Sequence, residues 1–388
     1  MTGNPDIFVK HKKGSIMAKH SIFIAGAGGI GRAAGLLLAE LADFEADIWI
    51  GDISQTAIDE AVAYIGKGHG VLMQKGGPDP ALDAACDTCE VLLDCLPGKL
   101  APKMAGLAIQ HKMHYANLTE YVQETEDIKQ LAADAETGFI LQTGLAPGFV
   151  GVLAMRLYEE FQENFGGDGQ MEYVSMKVGA LTQSANAPHY YGFTWSPIGV
   201  ATEYVKDAIV IRDFKQSTLP SLSEYEHLII DGVAYEADLT SGGAADLPEA
   251  FAGKARKLDY KTIRWPGHYE WVHSQLKKVE KGEDQAKALE AEMLRQIPLE
   301  EDDIVIIQAY VIGKDGKGQL RQHSRNYHIS PIKVGQQTLR AIQSTTAAAL
   351  VECARMLLTG NYKGIVLQSE LDAKSFLEGP FIQHVYGK

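Results

Sequence analysis

SIFIAGAGGIGRAAG, residues 21–35, decides the fold: an apolar run breaks into glycines and then into an alanine- and leucine-rich helix. Gly26, Gly28 and Gly31 give the GxGxxG spacing, and Gly35 lies one helical turn further on. The first glycine permits a tight strand-to-helix turn. The second removes a side chain where a pyrophosphate approaches the backbone, and the third lets helix and strand pack closely. Gly29 and Ile30 complete the loop, whose amides at a helix N-terminus would face the phosphates. A second apolar run over residues 47–51 ends at Asp52, the position from which a carboxylate accepts hydrogen bonds from an adenosine ribose. The same carboxylate roughly 4 Å from a 2′-phosphate would cost up to about 4 kcal/mol at an effective dielectric near 20. NAD is therefore the expected cofactor and NADP is disfavoured.

Working outward, short apolar runs alternate with helical segments, as a parallel sheet with crossover helices requires. Residues 48–50, 71–73, 91–95, 115–118 and 139–142 read as strands two to six, separated by helices over 57–64, 79–85, 101–110 and 125–136. Ligands of such sheets bind beyond the carboxyl ends of the strands. That puts Leu96, Pro97 and Gly98 against the cofactor and makes residues 117–121 (NLTEY) and 143–148 (TGLAPG) the next segments of interest.

After Gly148 the rhythm changes. A helix over 149–165 leads into strands at 172–178, 208–214, 225–230, 233–237 and 261–264, helices at 269–278 and 285–296, and two strands, 304–312 and 319–329, joined by the turn KDGKG. The last fifty residues return to helix over 337–358, with Gly360 as its C-cap. This helix is too apolar for a surface role, which sends it back onto the first domain. The expected architecture is an α/β, Rossmann-type doubly wound parallel sheet, residues 21–148 plus 335–388, with an inserted α+β substrate and dimerisation domain, residues 149–334. Residues 1–20 read as a flexible leader, with Met17 as an alternative start.

A chain of 388 residues with 46% hydrophobic content supports two domains. Its net charge of −14 argues against nucleic-acid or anionic-membrane partners, and no apolar run is long enough to span a bilayer. Four cysteines suggest no disulfide framework, so a reducing cytoplasm is the expected setting. Cys86 and Cys89 form a CxxC, but no second ligand pair accompanies them; free thiols are expected and no metal.

Three stretches look too unusual for packing alone: FTWSPIG (193–199), IRWPGHY (263–269), and a strand carrying Arg321, His323, Arg325 and His328. GAGGIG, the LPG at 96–98, YANLTEY, TGLAPGF, TWSP and TIRWPGH, taken together, make the chain resemble the saccharopine dehydrogenase family from Ser21 onward. TWSP, EYVKDAIVIRDF and RWPGH look most like its branch containing NAD-dependent lysine 6-dehydrogenase. The resemblance implies a cleft between a dinucleotide domain and an inserted domain, a homodimer, and hydride transfer from the ε carbon–nitrogen bond of lysine or saccharopine to give, after imine hydrolysis, allysine. Many members carry aspartate where this chain has Asn117, so no role is carried over from that carboxylate.

Such a reaction needs a general base, because an amine with a pKa near 10.4 is mostly protonated at neutral pH. His268, Glu120 and Lys99 are the candidates near the expected cleft, and histidine is best poised near neutrality; the alternative role for His268 is to cap the helix after Pro266 and Gly267. The substrate carboxylate calls for an arginine. Arg264, aimed by the Trp265–Pro266 bend, is the first candidate, with Arg321 and Arg325 behind it. Trp195 and Ser196 would line the pocket. A competing reading from another class is a non-catalytic dinucleotide-binding regulatory or scaffold protein, in which no hydride moves.

Overall fold

The computed structural model describes residues 18–120 and 122–387. The expected leader falls largely on residues 1–17, outside that range, and the first strand already opens at Lys19.

Six strands alternate with helices: β1 (Lys19–Ala25), β2 (Glu45–Asp52), β3 (His69–Leu72), β4 (Val91–Asp94), β5 (His114–Asn117) and β6 (Gly138–Ile140). The chain then builds a second sheet from β7 (Met171–Thr182), β8 (Ala208–Arg212), β9 (Lys215–Leu219), β10 (Glu226–Ile230), β11 (Val233–Leu239), β12 (Lys257–Arg264), β13 (Asp303–Lys314) and β14 (Leu320–Ile329). A short hairpin of β15 (Ile332–Val334) and β16 (Gln337–Leu339) leads into helix Ala341–Thr359, and β17 (Gly364–Val366) follows it.

The first sheet is parallel throughout, in the order β17-β6-β5-β4-β1-β2-β3. Strand order reverses between β1 and β4, so the crevice a dinucleotide occupies in such folds lies at the end of β1, where the glycine loop begins. The second sheet runs β10-β11-β12-β7-β13-β14, with β8 joining β12 to β9; only the β12–β7 pair is parallel.

One core joins the two sheets. Helix Phe149–Phe165 presents Phe149, Leu153, Leu157 and Phe161, all fully buried, as an i, i+4 stripe. They pack with Val174, Met176 and Val178 of β7 and with Val305, Ile307 and Val311 of β13. Helix Ala341–Thr359 is buried along most of its length and contributes to the same core as Leu36 to Leu38 of helix Gly29–Leu41.

The start of that return helix differs from the sequence expectation. Residues 337–339 are strand, because both carboxylate oxygens of buried Asp303 accept the amides of Ala341 and Ile342, each at 2.7 Å, and fix the helix N-terminus there. At its other end Gly360 does sit at the C-cap, but in an extended conformation with φ −101°. Replacing Asp303 by Ala removes two charge-assisted bonds and leaves two buried amides without partners. It should cost about 2 kcal/mol, read as a lower urea midpoint at unchanged m; a loss below about 0.5 kcal/mol would mean that the clasp carries no stability.

Candidate active site

A cavity of about 400 Å³ opens at the carboxyl ends of the first sheet, against the second. Gly29 and Ile30 of the glycine loop, Leu118 and Glu120 after β5, and Gly144 to Pro147 after β6 form one side. Ile342, Gln343 and Thr346 of the return helix add to it. The other side comes from β12, whose period of two turns Tyr260, Thr262 and Arg264 to one face, and from Thr194 to Ser196 with Glu203.

The glycine loop fits a dinucleotide in its geometry. Gly26 has φ +106°, and a Cβ on Gly31 would lie 1.9 Å from the Gly26 carbonyl oxygen, so both positions need glycine. A Cβ on Gly28 would meet nothing within 4 Å: that side of the loop is open. Helix Gly29–Leu41 has no side-chain cap on its first amides, which leaves them free to meet an anion. Asp52 accepts from Ala27 N–H at 2.9 Å and from Ser54 N–H at 3.1 Å, holding its carboxylate beside the loop. Leu96 comes next to it, and Pro97 and Gly98 follow into the short turn Gly98–Leu100. Leu96 is the side chain nearest a Cβ placed on Gly26, and its amide is held by buried Asp94 at 3.0 Å. Burial raises the Asp94 carboxyl to about 6, against the opposing pull of the Leu96 amide and the Tyr115 hydroxyl.

On the substrate side the central group is Arg264. Only 1% exposed, its Nε–H donates to the Tyr204 hydroxyl at 2.6 Å and Nη1–H to the Ile263 carbonyl at 3.0 Å, and its guanidinium lies 4.7 Å from the Tyr191 ring centroid. No carboxylate of the described residues comes within 4 Å of it. A buried cation without an ion-pair partner is costly, and its exposure to a cavity marks the place where an anionic group would repay that cost.

Two carboxyls share the cavity wall with it. Burial raises Glu120, and nearby Lys206 partly opposes the shift. Glu203, from helix Pro197–Val205, is raised to about 8, first by burial and then by the charge of Glu120, with Arg264 and the Thr262 hydroxyl pulling the other way. Trp195 lies over Gly199, and Ser196 Oγ accepts the Gly199 amide at 3.2 Å at the start of that helix.

The remaining sequence candidates lie elsewhere. His268 is fully buried and does not line the cavity: its Nδ1 bonds the His189 carbonyl at 2.6 Å and its Nε2 the Tyr204 hydroxyl at 3.0 Å. Burial, with the Arg264 charge beside it, lowers its pKa to about 3. With both nitrogens engaged and no access to a ligand, it is not placed to take a substrate proton. Lys99 is exposed on the short turn Gly98–Leu100, off the cavity. Arg321 pairs with Asp315 at 3.0 Å, and Arg325 pairs with Glu160 at 2.6 Å, joining β14 to helix Phe149–Phe165; neither reaches the cavity. Glu203 was not among the sequence candidates. The signal available for it was a single carboxylate inside the apolar run PIGVATEYV.

Cys86 and Cys89 are buried free thiols, each pushed up to about 12, chiefly by burial. Among the described residues no group of three or more His, Cys, Asp or Glu is disposed to hold a metal, and no helix is long and apolar enough to cross a membrane.

A glycine loop at the switch point of a parallel sheet, facing a largely apolar cavity that the second sheet helps to line, defines a Rossmann-type dinucleotide-binding class. The chain belongs to the saccharopine dehydrogenase family, whose NADP binding domain model matches residues 22–141 and whose C-terminal domain model matches residues 144–385. Bovine mitochondrial alpha-aminoadipic semialdehyde synthase is 24% identical over 205 residues, 52% of this chain and 21% of that protein, so the aligned part is about a fifth of the relative's length. Saccharopine dehydrogenase (L-Glu forming) from Saccharomyces cerevisiae shares the fold with a TM-score of 0.72 at 14% identity, covering 92% of this chain and 96% of that one. Homospermidine synthase from Legionella pneumophila, solved in complex with NAD, does so with a TM-score of 0.67 at 14% identity, covering 96% and 91%.

Two measurements test this geometry. Gly28→Ala should leave apo stability nearly unchanged yet weaken NADH binding about tenfold, roughly 1.4 kcal/mol, whereas Gly31→Ala should lower both, by thermal melting and NADH fluorescence; equal behaviour of the two variants would remove the phosphate-approach argument. The second concerns Glu203. Its folded pKa of about 8 lies above the unfolded value near 4.3, so the native state keeps this proton longer. That contribution to stability is complete below the unfolded pKa and is lost as pH rises through the folded one. Glu203→Gln, which never ionises, should gain stability relative to wild type between about pH 5 and about pH 8; a difference independent of pH would count against a raised Glu203.

Proposed function

We propose that the protein is an NAD-dependent amino-acid dehydrogenase that oxidises the carbon–nitrogen bond at the ε carbon of lysine or a lysine conjugate. The observation that carries this reading is Arg264, a buried guanidinium without an ion-pair partner, in the same cavity as Glu203 and the glycine loop. A scaffold that only binds a dinucleotide has no use for such a cation or for a carboxyl raised into the neutral range.

A bound dinucleotide would supply the hydride acceptor. The chain's own residues would do the rest. Arg264 holds the substrate carboxylate, a charge-assisted contact worth about 1.5–3 kcal/mol per hydrogen bond. Glu203, raised to about 8 by burial and by Glu120, accepts the proton that the ammonium must lose before hydride can leave. Glu120, on the same wall, is placed to pass protons between Glu203 and solvent and to orient the water that hydrolyses the imine. Trp195 covers the aliphatic chain, and Ser196 offers a hydroxyl at the rim. Asp52 beside the loop supports NAD over NADP on charge grounds, although the matching domain model is described as NADP binding. A reducing, cytoplasmic setting suits the free thiols, and a homodimer is part of the same proposal.

With Arg321 and Arg325 paired elsewhere, Arg264 and Arg340 are the arginines on the cavity. Among the described residues neither of them has a carboxylate within 4 Å, so the cavity offers up to two guanidinium groups to carboxylates and suits lysine, with one, or a conjugate with more. The test is NADH formation from NAD with lysine and saccharopine, in wild type and in Glu203→Gln. One of the two amines should yield NADH, and the variant should lose about 10²-fold or more in kcat, along with the ionisation near pH 8 in the pH profile. If NADH binds but neither amine yields NADH from NAD, the dehydrogenase reading fails and the scaffold reading takes its place.

A further inference from the structure

His268 is left without a role in the chemistry, yet it is fully buried and both of its ring nitrogens are engaged next to the site. The partners fix a direction. The His189 carbonyl, 2.6 Å from Nδ1, can only accept, so Nδ1 carries the proton and Nε2 is left as an acceptor. The Tyr204 hydroxyl, 3.0 Å from Nε2, must then donate to it, which turns the lone pairs of the tyrosine oxygen toward Arg264 Nε–H at 2.6 Å. Each bond in this chain has one polarity, set by a backbone carbonyl.

The geometry points to His268 as a positioning residue: through Tyr204 it fixes the orientation of Arg264, and so the affinity of the site for a substrate carboxylate. This inference rests on the proposed dehydrogenase reading for its ligand, but not for its hydrogen-bond chain. Were the imidazole charged, Nε2–H would compete with Arg264 for the same tyrosine oxygen, and a second cation would sit beside the guanidinium. Burial and the Arg264 charge both oppose that state, consistent with a pKa lowered to about 3. The Tyr191 ring, 4.7 Å from the guanidinium carbon, limits movement on another side. Leu in place of His268 would fill the space without an acceptor, letting the Tyr204 hydroxyl turn and donate elsewhere. Gln offers both an acceptor and a donor.

The experiment compares lysine with cadaverine, the same chain without the carboxylate, in wild type, His268→Leu and His268→Gln. For His268→Leu, KM for lysine should rise about tenfold more than KM for cadaverine, with kcat for lysine changing far less than KM, and His268→Gln should recover most of the loss. Equal losses on the two amines would make His268 a packing residue and overturn the inference. If wild type oxidises neither amine, the proposed function fails, and labelled-histidine NMR decides the hydrogen-bond chain separately. A His268 signal with the proton on Nδ1, unchanged from pH 5 to pH 9 and with the Arg264 Nε–H resonance displaced in His268→Leu, supports it. A proton on Nε2, titration in that range, or an unmoved arginine resonance overturns it.

Discussion

The clasp of Asp303 on the first amides of helix Ala341–Thr359 ties the two halves of the protein together. Asp303 opens β13, which pairs antiparallel with both β7 and β14 in the second sheet, while the helix it holds lies in the layer against the first. A carboxylate at a helix N-terminus satisfies amides that have no partner within the helix and lies at the positive end of its dipole. Residues one turn into that helix, Ile342, Gln343 and Thr346, form part of the cavity wall. The distance between the glycine loop and the substrate groups is therefore set by this contact as much as by the loop itself.

On that frame the site is assembled by electrostatics under burial. Arg264 is held by neutral partners, a tyrosine hydroxyl and a carbonyl, and not by a carboxylate. Its charge is thus kept available, whereas Arg321 and Arg325 spend theirs on Asp315 and Glu160. Burial raises the proton affinity of both Glu120 and Glu203, and the charge of Glu120 raises that of Glu203 further. A largely apolar lining, a buried cation without an ion-pair partner and a carboxyl raised to about 8 are the features by which this cavity differs from a cofactor groove alone.

Much of this was legible from residue order. The strands β1 to β6 follow from short apolar runs spaced by helical segments, and helix Phe149–Phe165 begins and ends where its i, i+4 stripe does. The glycine loop, Asp52 and the turn at IRWPGHY carry local signals, and they lie near the places those signals suggested. What local pattern could not convey was depth. His268 ranks ahead of Lys99 as a base on its ordinary pKa alone, yet His268 is fully buried beside Arg264 and Lys99 is in solvent. The strand with Arg321 and Arg325 looked like a basic face because their partners, Asp315 across the hairpin turn and Glu160 on a helix some 165 residues away in sequence, are brought up only by the fold. Glu203 looked ordinary until its helix was seen to turn it inward, and residues 337–339 read as helix because nothing local announces Asp303.

The edge of the first sheet carries a consequence for how the chain reaches this state. Strand β17, Gly364–Val366, pairs with β6, Gly138–Ile140, across more than two hundred intervening residues. On a ribosome β1 to β6 emerge early, but the flank of β6 stays open until the segment that closes it has been made. An uncovered strand edge is a template for wrong partners, and closing so long a loop carries an entropic cost that only the finished contacts offset. Three residues with a single side chain half exposed, GIV, are a short edge to leave last. Their brevity limits how long the nascent sheet presents a long, sticky border to its neighbours.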